Sequence, residues 1–92
     1  PASPTRLIAS ANKPARLSLR WTQSTTPGVT QNGIYRRTSA GSYPATPITT
    51  IGANTAYQDP GLITGTTYCY VVTAIGGGGE SAKSNESCAT PK

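Results

Sequence analysis

Cys69 and Cys88, with Asp59, Glu80 and Glu86 and no histidine anywhere, set the limits of the chemistry open to this chain. Without an imidazole and with only three carboxylates, general acid–base work has almost nothing to run on. Asp59 precedes Pro60-Gly61, a turn position where aspartate serves local hydrogen bonding. Glu80 and Glu86 are near neighbours, but no second feature marks them as a glycosidase pair. Two cysteines fall short of the four ligands a structural zinc needs. The run Gly76 to Gly79 lacks the Lys-Ser/Thr ending and the following helix of a phosphate loop, and reads as a mobile hairpin tip. No catalytic, cofactor-binding or metal-binding residue is expected. Asn85-Glu86-Ser87 is formally a glycosylation sequon.

The elements that would position these residues are strands. Helical periodicity is absent, and eight prolines and ten glycines punctuate the chain. Ala15 to Gln23 alternates, with Leu17, Leu19 and Trp21 on one face and Arg16, Ser18, Arg20 and Thr22 on the other. Further strands are expected at Thr5 to Ser10, Gln31 to Thr38 (Ile34 inward, Tyr35 outward), Ile48 to Ile51, Thr55 to Asp59 (Tyr57 inward), Thr66 to Ile75 and Ala82 to Thr90. The sixth is the strongest, with Tyr68, Tyr70, Val72 and Ala74 on one side. A leucine, a glycine turn and a tyrosine at Leu62, Gly65 and Tyr68 form a tyrosine corner. The expected fold is all-β: a seven-stranded antiparallel Greek-key β-sandwich with a core of Leu17, Leu19, Trp21, Ile34, Leu62, Tyr68, Tyr70 and Val72.

Composition agrees with an exported β-protein. Only 12% of residues are charged, and the polar surface must come from Thr, Ser, Asn, Gln and Gly. The net charge of +5 comes from basic residues scattered along the chain. Arg36-Arg37 is their only adjacent pair, and on a strand the two point to opposite faces. A solvated positive surface is expected, and nucleic-acid binding is not. No apolar run is long enough for membrane insertion. One domain over residues 1–92 is expected, with 1–4 and 91–92 as linker ends cut from a longer protein, and a monomer.

These features together resemble the fibronectin type III domain. The resemblance is carried by Pro4-Thr5-Arg6-Leu7-Ile8-Ala9, Leu17-Ser18-Leu19-Arg20-Trp21, Ile34-Tyr35-Arg36, the Leu62, Gly65-Thr66 and Tyr68 set, and Glu80-Ser81-Ala82-Lys83-Ser84-Asn85. It spans essentially the whole chain in order. Two departures stand out: Asn32 occupies a place where many members carry tyrosine, implying a wetter or looser core there, and the last hairpin holds no Arg-Gly-Asp. The Tyr-Arg-Arg-Thr wording and the chain's ending resemble bacterial versions that sit beside the catalytic or carbohydrate-binding modules of secreted enzymes, or in surface proteins.

Reflecting the last two strands about a tip near Gly78-Gly79 places Cys69 opposite Cys88 on the outward face. A disulfide there would imply an oxidising compartment; two free thiols are the alternative. The expected role is a non-catalytic spacer or accessory module of a secreted or cell-surface multidomain protein, with neighbouring domains of the same polypeptide as partners and no cofactor. The alternative is a module that binds a polysaccharide, a protein or a cell surface. Its contacts would come from the loops at Ser24 to Thr30 and Gly76 to Glu80, or from the outer sheet face shared by Tyr35, Val71 and Thr73.

Overall fold

The computed structural model describes residues 1–92. It contains eight strands and no helix: β1 (Thr5–Lys13), β2 (Arg16–Thr22), β3 (Val29–Thr38), β4 (Thr49–Gly52), β5 (Ala56–Asp59), β6 (Tyr68–Gly76), β7 (Gly79–Glu80) and β8 (Ser87–Ala89). They form two antiparallel sheets. One has the order β1-β2-β5; in the other β4-β3-β6 is extended by β7 and β8, which both pair with β6. The fold is a β-sandwich, as the alternation implied.

The inner faces meet in one core of Leu7, Leu17, Leu19, Trp21, Ile34, Leu62, Tyr68, Tyr70 and Val72. Strand parity explains the membership: Leu17, Leu19 and Trp21 point inward together because side chains alternate along β2. In the corner, Tyr68 Oη accepts a 3.0 Å hydrogen bond from the Ile63 amide, pinning the crossing between sheets. Tyr68→Phe is expected to lower the unfolding free energy by about 1–2 kcal/mol, towards the lower end because the exposed Ile63 segment can turn to water. Equal urea midpoints for the variant and the parent would contradict this.

Two expectations need correction. The last strand is not continuous: β7 and β8 are separated by residues 81–86. In this interval the Ser81 and Ser84 hydroxyls accept hydrogen bonds from the Ala74 and Val72 amides, while their own amides donate to the carbonyls of the same two residues. Both ends pack against the body. Pro4 and Pro91 are buried, and the Lys92 carbonyl accepts from the Ala15 amide and the Thr64 hydroxyl. Asn32 does not loosen the core. It is fully buried, and its side chain accepts from Gln23 Nε2 and the Asn54 amide while donating to Gln23 Oε1 and the Thr73 carbonyl. A buried amide with partners on both ends carries no desolvation penalty that would open the structure.

Candidate functional site

The outer face of the five-stranded sheet was one of the two places the alternative reading offered for a ligand. It is closed instead. Tyr35, Cys69, Val71 and Thr73 are all buried; Glu80 bonds Tyr35 and Thr73, Lys83 stands over the Tyr35 ring, and Glu86 lies beside the cysteine pair. Glu80 Oε2 accepts hydrogen bonds from the Tyr35 hydroxyl and, at 2.7 Å, from the Thr73 hydroxyl. The Lys83 ammonium stands 4.9 Å from the centre of the Tyr35 ring. Gly33 makes this approach possible: a Cβ there would stand 2.6 Å from Thr73 Oγ1 and 3.2 Å from Glu80 Oε2.

Cys69 and Cys88 pair directly across β6 and β8 and form a disulfide. Cys69 is buried and Cys88 exposed. Both sulfurs lie within 4.8 Å of a Glu86 carboxylate oxygen, but bonded to each other they have no thiolate to offer a metal. Glu86 is held by the Arg37 guanidinium at 3.0 Å and by the Tyr43 hydroxyl at 2.6 Å. With a separation of 19 residues, the cross-link is worth about 3 kcal/mol in the chain-entropy view. Replacing both cysteines by alanine should lower the urea midpoint accordingly; an unchanged midpoint would show that the bond adds nothing to stability.

The third carboxylate, Asp59, is also committed. It is buried, takes two hydrogen bonds from Arg36 Nη1 at 3.1 and 2.9 Å, and accepts a third from the Tyr70 hydroxyl. The local turn role expected for it is therefore incomplete. Parity held the missing signal: Asp59 lies two residues beyond inward Tyr57, and Arg36 two beyond inward Ile34, so both are directed inward.

Each acid thus has a tyrosine and a second polar group as partners, and this decides what the acids can do. Hydrogen bonds from Thr73 and then Tyr35 hold the Glu80 carboxyl below its ordinary value, and those from Tyr43 and then Arg37 do the same for Glu86. A general acid needs the opposite shift, so neither suits protonation of a leaving group. Burial, then the bond to Glu80, pushes Tyr35 up to about 12. Because both glutamates are depressed, their contribution to stability is present above 4.5 and lost as pH falls below it. Tyr35 is raised, so its contribution is complete below 10.0 and lost as pH climbs through about 12. Urea midpoints should therefore be flat between these limits and decline on both sides; a maximum outside that window would contradict the assignment.

The two loops at one end, 24–30 and 76–80, lean on each other. Thr30 Oγ1 donates to the Ile75 carbonyl at 3.3 Å, and a Cβ on Gly76 would stand 2.7 Å from the Gly28 carbonyl oxygen. The remaining concavities are shallow. A groove of ≈ 550 Å³ runs between β4 and β5 past Ile51, Ala53 and Tyr57. Two more, of ≈ 390 and ≈ 370 Å³, lie on the outer face of the three-stranded sheet. At the sequon, the Asn85 amide bonds both the N–H and the C=O of Leu7. It stands in for a strand neighbour, which a glycan on its nitrogen would disrupt.

No family model matches the chain. A solved structure does: an Fn3-like protein from Clostridium thermocellum, 37% identical, superposes with a TM-score of 0.79 over 100% of this chain and 95% of that one. The chain belongs to the fibronectin type III family. The domain is also 39% identical over 93 residues to a poly(3-hydroxybutyrate) depolymerase of Ralstonia pickettii, matching 99% of its own length but only 17% of the depolymerase. A β-1,2-glucanase from Parabacteroides distasonis shares the fold, with a TM-score of 0.83 at 23% identity, over 98% of the domain and 12% of the glucanase.

Proposed function

We propose that this fibronectin type III domain is a non-catalytic spacer or accessory module of a secreted, multidomain bacterial protein, one unit spanning residues 1–92. The observation that carries the reading is the placement of the chain ends. The Ala2 amide bonds Thr26 Oγ1 in the β2–β3 loop, while the Lys92 carbonyl bonds the Ala15 amide at the β1–β2 turn. β2 runs between these points, so the ends leave from opposite poles of a body 38 Å long. A module built this way holds its neighbours apart in line. Relatives in which such a domain is a small part of a depolymerase or a glucanase support the accessory role. The disulfide supports an extracellular setting, and the engaged carboxylates support the absence of catalysis.

Two copies fused head to tail test the spacing. Small-angle scattering should give a maximum dimension near twice the 38 Å of one copy; a value near that of a single copy, from side-by-side packing, would overturn the reading. Release of soluble product from poly(3-hydroxybutyrate) or a β-1,2-glucan by this chain alone would overturn the non-catalytic part.

A further inference from the structure

The cations left without a carboxylate gather on one side of the molecule. Arg36 and Arg37 are taken by Asp59 and Glu86, and Lys83 lies over Tyr35 on the five-stranded side. The other five basic residues, Arg6, Lys13, Arg16, Arg20 and Lys92, lie along β1 and β2 or beside the turn between them. Antiparallel pairing sets Lys13 opposite Arg16, and the Lys92 carbonyl is bonded to Ala15 beside them. Arg6 and Arg20 line the same groove of ≈ 370 Å³.

Arg16 and Arg20 share the parity opposite to buried Leu17, Leu19 and Trp21, so both point outward from the three-stranded sheet. Four residues of strand put them about 13 Å apart. Next to Arg20 on this face lies the ≈ 390 Å³ groove, lined by hydroxyl and amide groups that include Ser18 and Gln58. No side-chain carboxylate shares this face. Asp59 is buried between the sheets, and Glu80 and Glu86 lie on the far side of the second sheet. Asp59 and Glu86 are moreover neutralised by Arg36 and Arg37, and the second sheet stands about 10 Å behind this one.

We propose that this face binds an acidic polysaccharide. Its carboxylates are held by Lys13 with Arg16 at one end and Arg6 with Arg20 at the other, and its hydroxyls meet Ser18 and Gln58 between them. The guanidinium fork matches a carboxylate with two parallel hydrogen bonds, and the neutral polar stretch suits sugar hydroxyls. Single-stranded nucleic acid fits less well, because it needs aromatic platforms for its bases and the tryptophan of β2 is buried in the core. The role goes beyond spacing: it would attach the module to a polymer while the neighbours work.

Affinity electrophoresis of the 92-residue chain in polygalacturonate tests this, with neutral dextran and single-stranded DNA as controls at matched ionic strength. Retardation by polygalacturonate alone is expected, and the double variant Arg16→Ser/Arg20→Ser should bind about tenfold more weakly or worse. Lys83→Ser should bind like the parent, and the Arg16→Ser/Arg20→Ser variant should keep the parent's thermal midpoint. Absence of retardation, equal weakening by Lys83→Ser, or tighter binding to DNA than to polygalacturonate would each overturn the proposal.

Discussion

Arg36→Met should destabilise the folded chain by about 3–5 kcal/mol, the range seen when one partner of a buried ion pair is removed. The two ends of this pair are unequally buried: the Asp59 side chain is 5% exposed and that of Arg36 is 32% exposed. Removing the arginine therefore strands a carboxylate between the sheets with only the Tyr70 hydroxyl to face it. Asp59→Asn should cost less, because the amide still accepts from Tyr70 and the partly exposed Arg36 can turn to water. The double variant Arg36→Met/Asp59→Leu should then recover most of the loss, since apolar groups of similar volume often replace a buried pair at little cost. Urea denaturation of the parent, Arg36→Met, Asp59→Leu and the double variant closes the cycle, with Asp59→Asn measured beside them. A double variant as unstable as the sum of its parts would mean that the two residues act separately, and a loss below about 1 kcal/mol for Arg36→Met would mean that water already reaches the carboxylate.

The pair also shows where the sequence was readable and where it was not. Leu17, Leu19 and Trp21 could be placed because alternation along one strand is local information. Leu62, Gly65 and Tyr68 could be placed because the corner is a short-range device. The cysteine pairing was legible too, though not by the assumed route. Ile75 faces Glu80 while Tyr70 faces Ser87, so five steps along β6 are matched by seven on the returning chain. The irregular Ser81–Glu86 stretch absorbs the difference, and the true tip is at Gly77-Gly78. What could not be read was the pairing between distant elements. Parity put Arg36 and Asp59 inward, but nothing local says that β3 and β5, in different sheets, bring them together. Likewise the basic residues look scattered until antiparallel pairing sets Lys13 beside Arg16. The closing of the Tyr35 face depends on Gly33, Glu80 and Lys83 converging from three places in the chain.

Trp21→Ala should cost about 3–5 kcal/mol, a large part of the 5–15 kcal/mol that a domain of this kind possesses. Trp21 is 6% exposed and packs in a core of only nine buried side chains. Such a small sandwich has few neighbours able to collapse into the space an indole leaves. The same residue carries a second, finer expectation. Its Nε1–H is buried without an acceptor from the protein, so the indole contributes by volume and pays for an unpaired donor. Trp21→Phe removes that donor along with part of the ring, and the two effects oppose each other. Its net cost should be only about 1 kcal/mol. Far-UV circular dichroism, which does not depend on the lost fluorophore, measures both variants. If phenylalanine proved as damaging as alanine, the Nε1–H would have to be engaged in a bond that holds the sheets together, and Trp21 would be a polar link across the core rather than its largest apolar filler.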